Sequence, residues 1–201
     1  MTRLLLIRHG MTDAVGRTLA GRQRGIHLND AGRVQAAAAA DALAAVSLAA
    51  VLSSPLERAM ETASAVAGPH RLRVEVAEEL NEFDTGAWTG AAFADLDWMR
   101  EWQRFNDARS LAAAPGGESM IDVQRRVVAY LLGLRPRFPE HIVAAVSHGD
   151  VIRAALVYFL GMPIDLFARL DVAPGRISVV DLQDGTAIVR QVNGDTAGPA
   201  V

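Results

Sequence analysis

The stretch Leu4-Leu5-Leu6-Ile7-Arg8-His9-Gly10 decides how the rest of the chain is read, because four apolar residues with the look of a buried strand run straight into a cation, an imidazole and a glycine. In an open α/β sheet, ligands bind just beyond the carboxyl ends of the strands, where polar side chains project into a crevice from a rigid support. Arg8 and His9 occupy such an end. Gly10 has no Cβ and lets a bound group approach the main chain closely.

With 201 residues, 51% of them hydrophobic and 21% charged, the chain is long and apolar enough to bury a substantial core, so one domain over residues 1–193 is expected, with a frayed tail over 194–201. No apolar run approaches the roughly 18 residues needed to cross a bilayer, and the start lacks the pattern of a signal peptide. A cytoplasmic protein without a membrane partner is expected. The 20 basic and 23 acidic residues give a formal charge of -3, which offers no general attraction for nucleic acid, so any anion site must be local. Two absences narrow the chemistry further: there is no Cys, and every basic residue is Arg, with no Lys. Thiolate nucleophiles, disulfides, Schiff-base lysines and Gly-Lys-Ser/Thr phosphate loops are excluded.

Residues 11–28 carry Gly and Arg with no period of two or 3.6 and read as a long loop; loops of that length in a compact domain are usually functional. Asn29 offers an N-cap to an alanine-rich helix over 30–46. Residues 49–54 read as a buried strand, followed by a helix over 55–66 with Pro55 at its start and Ser54 as its cap. Residues 74–76 suggest a third strand and 78–90 a loop dense in carboxylates. A helix over 95–105, with Leu96, Trp98, Met99, Trp102 and Phe105, is expected to cap the sheet, and a long helix over 118–138 to bury Met120, Ile121, Val123, Val127, Val128, Leu131 and Leu132. Ile142 to Val146 repeats the opening pattern and ends in Ser147-His148-Gly149-Asp150. A helix follows over 151–160, then a short one over 163–168. Residues 177–182 and 187–192 flank Asp184-Gly185 as a hairpin. Strands alternating with helices imply a three-layer α/β/α fold: a mostly parallel central sheet, helices on both faces, and the hairpin at an edge.

Three strand-to-helix junctions thus contribute Arg8, His9, Arg58 and His148, and the acid-rich loop can contribute Glu82. Guanidinium groups bind phosphoryl oxygens through forked, charge-assisted hydrogen bonds. Without Cys or Lys, the nucleophile is a hydroxyl, a carboxylate or an imidazole, and a neutral imidazole acts at pH 7 without a separate base. His9 is the best candidate. A metal held by His9 and His148 is the competing reading, but its carboxylate ligands would share the space with two arginines. No metal and no cofactor are expected.

Taken with Ser53-Ser54-Pro55-Leu56-Glu57-Arg58-Ala59-Met60-Glu61-Thr62-Ala63, Leu80-Asn81-Glu82, Gly86-Ala87-Trp88-Thr89-Gly90, Gly117-Glu118-Ser119 and Ser147-His148-Gly149, the opening block resembles the histidine phosphatase superfamily, the phosphoglycerate mutase-like or "RHG" family, over nearly the whole chain. The resemblance implies that His9 becomes transiently phosphorylated, that Arg8, Arg58 and His148 hold the phosphoryl oxygens, and that Glu82 protonates the leaving alcohol. It also points to Thr12, Gly21, Arg22 and Gly149 as substrate-binding. Four positions depart from the family pattern: Met11 precedes Thr12 where many relatives have Glu or Ser, Val15 stands where an Asn often does, Thr89 replaces a frequent Glu, and Asp150 stands where some mutases have Asn. The expected activity is hydrolysis of a small phosphorylated metabolite. A cofactor-dependent phosphomutase is the alternative and a non-catalytic phosphometabolite-binding protein the third reading; a homodimer is the assembly entertained.

Overall fold

The computed structural model describes residues 1–195. Among these residues a six-stranded sheet forms the centre, built from β1 (Thr2–Arg8), β2 (Leu48–Ser53), β3 (Val74–Val76), β4 (Ile142–Ser147), β5 (Ile177–Gln183) and β6 (Thr186–Gly194) in the order β3-β2-β4-β1-β5-β6. The first four run parallel, β5 is antiparallel to β1, and β6 is antiparallel to β5. This is the mostly parallel sheet expected, with the hairpin at its edge. The helices are α1 (Asp30–Leu43), α2 (Glu57–Ala67), α3 (Phe93–Leu96), α4 (Arg100–Asp107), α5 (Met120–Arg137) and α6 (Gly149–Phe159).

Side chains alternate along a strand, and both faces of this sheet are apolar. Leu5, Ile7, Val51, Ala144 and Val146 pack with Ala39, Leu43, Ala59 and Val66 of α1 and α2. Leu4, Leu6, Leu52, Val143 and Ala145 pack with Val123, Val127 and Leu131 of α5 and with Ile152 and Ala155 of α6. Burial on both faces explains why these strands read as continuous apolar runs.

Asn29 caps α1, its side chain accepting from the Gly32 amide at 2.9 Å. Up to its last residue, Leu43, the buried side of α1 is small (Gly32, Ala36, Ala39, Ala40), and its first turn lies close to the end of β1. A Cβ on Gly10 would stand 2.4 Å from the Gly32 carbonyl oxygen, and one on Gly32 would stand 2.0 Å from that of Met11. Backbone meets backbone directly behind His9. Gly32→Ala is therefore expected to lower stability by about 1–3 kcal/mol through overpacking, read from the urea or thermal midpoint; an unchanged midpoint would show that the two segments part freely.

Several expectations are corrected. The second helix starts at Glu57 rather than Pro55, and its N-cap is Leu56, which has no side-chain acceptor; the Ser54 hydroxyl accepts from the Leu56 amide at 3.4 Å and lies 2.7 Å from His148 Nε2. The helix expected over 95–105 is broken into α3 and α4: the Gln103 side chain donates to the Asp97 carbonyl at 2.7 Å, satisfying a group that a continuous helix would have used. Trp98 falls in the break and is 87% exposed, whereas Trp102 and Phe105 are buried. In α5 the buried stripe is Met120, Val123, Val127, Leu131 and Leu134, which leaves Leu132 off the stripe and 43% exposed. The expected frayed tail begins too early, since Gly194 pairs with Ile177; its remainder beyond Asp195 lies outside the described residues.

Candidate active site

Parallel pairing of β1 with β4 sets Arg8 beside Ser147, and the His9 amide donates to the Ser147 carbonyl at 3.0 Å. On the other side of β4, Ser53 of β2 pairs with Val146. Three strand ends therefore lie side by side. His9 and His148 leave neighbouring ends with ring centroids 5.1 Å apart, edge to face.

His9 is buried, and its Nδ1 lies 2.7 Å from the Gly10 carbonyl oxygen. A carbonyl oxygen only accepts, so Nδ1 carries the proton and Nε2 presents a bare lone pair. Burial, then the charges of Arg58 and Arg8, hold the His9 pKa down to about 3, so the ring is neutral. The next residue is clamped as well: the Gly10 amide donates to Thr62 Oγ1 at 3.1 Å, and that hydroxyl donates to the Arg58 carbonyl at 2.9 Å.

Arg58 is 2% exposed and donates to the Gly21 and Gln23 carbonyls at 2.8 and 3.3 Å, pinning the 11–28 loop over the strand ends. Arg8 donates from Nη1 to the Val172 carbonyl at 2.6 Å, while its Nε is buried without a partner. Burial lowers the pKa of both arginines, and Glu82 partly restores it. Gly149 packs closely beside them: a Cβ there would stand 3.1 Å from the Arg8 guanidinium carbon. Ser54 Oγ accepts from the Leu56 amide at 3.4 Å, which leaves its O–H for His148 Nε2 at 2.7 Å. His148 Nδ1 then carries the proton and is buried without a partner. Burial first, then His9 and the two arginines, keep this ring neutral too.

Glu82 accepts from the Phe83 amide at 2.9 Å through Oε1, and its Oε2 lies 3.7 Å from His148 Nδ1. Burial, reinforced by Asp150, pushes its pKa up to about 7 against the pull of the Phe83 amide and the two arginines. Its backbone is held from outside. Arg22 and Arg126 donate to the Glu82 carbonyl at 2.8 and 3.1 Å, and both also bind the Glu118 carboxylate at 2.9 Å.

A cleft of about 190 Å³ opens onto Arg8, His9, Arg58 and Glu82, and Thr12, Gly21 and Gly149 also line it. The structure thus brings Thr12, Gly21 and Gly149 to the four catalytic candidates, with His148 directly behind. It turns Arg22 away from the cleft, toward Glu118 and the back of the Glu82 loop. Thr62 carries no site motif of its own in the sequence, and its place one helical turn after Arg58 is its only signal. Arg126, two turns beyond Glu118, carries no sequence signal for the contact with the Glu82 loop that it makes. Among the described residues no group of three or more His, Cys, Asp or Glu is arranged to hold a metal ion, and no helix is long and apolar enough to cross a membrane.

The family model of the histidine phosphatase superfamily (branch 1) matches residues 4–195. The chain belongs to this superfamily. The bifunctional protein Rv2228c of Mycobacterium tuberculosis is 36% identical over 199 residues, which are 96% of this chain and 54% of that one, so the chain spans about half the length of that relative. Glucosyl-3-phosphoglycerate phosphatase of the same species is 35% identical over 172 residues, 81% of this chain and 77% of that one. The solved structure of Bacillus stearothermophilus YhfR superposes with a TM-score of 0.90 at 31% identity, covering 97% of this chain and 98% of that one. This histidine phosphatase fold is the one the resemblance implied.

Proposed function

We propose that this histidine phosphatase superfamily member hydrolyses a small phosphomonoester through a phosphohistidine on His9, with Glu82 as proton donor and without a metal or cofactor. One observation carries the reading: besides the bare Nε2 of His9, two buried donors, Arg8 Nε and His148 Nδ1, have no hydrogen-bond partner in the protein. Buried donors left unpaired are costly, and a phosphoryl group seated at His9 supplies the acceptors they lack. The 35% identical mycobacterial relative is a glucosyl-3-phosphoglycerate phosphatase, which supports the same reaction class.

In the first step His9 Nε2 attacks phosphorus, the P–O bond to the alcohol breaks, and the departing oxygen takes the Glu82 proton. Arg8, Arg58 and His148 hold the three spectator oxygens as negative charge builds. Glu82 is then a carboxylate and removes a proton from water as the water oxygen attacks phosphorus. The P–N bond breaks, phosphate leaves, and both residues return to their starting states.

The test follows phosphate release and isomerisation together, with a panel of phosphomonoesters and with 3-phosphoglycerate plus catalytic 2,3-bisphosphoglycerate. Phosphate release that persists in EDTA is expected. Fast isomerisation with negligible free phosphate would make the protein a mutase, and loss of activity in EDTA restored by zinc or manganese would make it a metallohydrolase.

A further inference from the structure

Beyond the phosphoryl-binding end, the cleft has two unlike walls. One comes from the 11–28 loop and the start of α3 and carries the apolar side chains Val15, Leu19 and Phe93, with Thr12 and Thr18 as its polar members and, among the described residues, no charged one. That wall is fixed in place: Leu19 donates to the Ala91 carbonyl at 2.8 Å, Gly90 to that of Leu19 at 2.8 Å, and Phe93 to that of Arg17 at 3.0 Å. Leu19 and Phe93 also pack on the large core cluster. The other wall, from α6, carries Asp150 and Arg153.

Arg153 is the one cation, among the described residues lining the cleft, beyond Arg8 and Arg58, and it is already engaged. Its Nε donates to the Leu170 carbonyl at 2.9 Å, while its Nη atoms lie 3.4 Å from Asp150 and 4.0 Å from Asp171. A carboxylate on the leaving alcohol would therefore meet hydrocarbon and neutral threonine hydroxyls on one side, with no cation, and a neutralised cation beside an aspartate on the other. Losing water there without gaining a charged partner is unfavourable. An apolar group gains from the same wall.

We propose that the cleft selects phosphomonoesters whose leaving alcohol is uncharged and apolar on the face turned to Val15, Leu19 and Phe93, and that Val15 is a specificity-determining residue. This rests on the phosphatase reading and names the substrate class for the same site.

The test compares n-hexyl phosphate, ethyl phosphate and 3-phosphoglycerate, all alkyl esters, so that leaving-group acidity does not decide the order. The kcat/KM for hexyl phosphate is expected to exceed that for ethyl phosphate by about 10-fold or more, from four extra methylenes on the wall, and 3-phosphoglycerate is expected to be the poorest of the three. Val15→Asn should narrow the hexyl-to-ethyl ratio several-fold, with Phe93→Leu as a second variant and a melting curve for each. Equal turnover of hexyl and ethyl phosphate, a preference for 3-phosphoglycerate, or an unchanged ratio in both variants would overturn the assignment. Absence of release from all three and from p-nitrophenyl phosphate would instead remove the phosphatase reading, and this inference with it.

Discussion

His9→Ala is expected to lower phosphate release by at least about 10⁴-fold, since deleting a covalent nucleophile removes the lowest route and leaves only charge stabilisation and binding. The fold should survive. His9 sits at the end of β1, after the paired residues, and its Nδ1 bonds only to the neighbouring Gly10 carbonyl. The variant should therefore melt near the parent temperature and still bind phosphate or vanadate through Arg8, Arg58 and His148. Parent enzyme quenched during turnover should carry one acid-labile, base-stable phosphate, absent from the variant. A variant with more than a few per cent of parent activity would move the nucleophile elsewhere.

The second large effect belongs to Glu82. Glu82→Gln is expected to reduce kcat for alkyl phosphates by about 10²–10⁴-fold, the usual range for a lost general acid. With p-nitrophenyl phosphate the loss in the first step should be far smaller, because nitrophenolate departs without a proton. The pH dependence follows from the shifts. Glu82, with its pKa raised to about 7, is protonated and competent below that pH and loses its proton above it, so alkyl phosphate turnover should fall as pH rises through about 7. His9, held down to about 3, stays neutral and nucleophilic at every pH above that, leaving a plateau between the two. In Glu82→Gln the upper limb should vanish. In Asp150→Asn, which removes a negative charge that helps raise Glu82, it should move to lower pH. An upper limb unchanged in both variants would show that some other group reports there.

Much of this was legible in the chain, and the reason is locality. An apolar run ending in Arg8-His9-Gly10, another ending in Ser147-His148-Gly149, and an arginine, Arg58, in the first turn of the helix after β2 are each contained within about a dozen residues, so strand, helix start and exposed strand end could be read without knowing what lies next to what. The absence of Cys and Lys narrowed the nucleophile by elimination. The alternation of strands and helices was enough to predict a mostly parallel sheet covered on both faces.

What the tertiary structure alone decided is non-local. Strand β4 inserts between β1 and β2, and that order turns two distant histidines into neighbours 5.1 Å apart. Nothing in either strand's own sequence specifies its partner, because order and register are set by how helices from the whole chain cover the two apolar faces. Arg22 shows the same limit. From its loop it reads as an anion-binding residue, yet Glu118, far along the chain, draws it behind Glu82. Ser54 reads as the cap of a helix that starts at Pro55, yet the helix starts at Glu57 and the Ser54 hydroxyl, while accepting from the Leu56 amide, donates its O–H to His148. Trp98 has the spacing of a buried residue and is exposed, because one side-chain hydrogen bond from Gln103 stabilises a break in the helix. Residue type and local period set which groups are available; which partner each one meets is determined only when the packed chain brings competing donors and acceptors within reach.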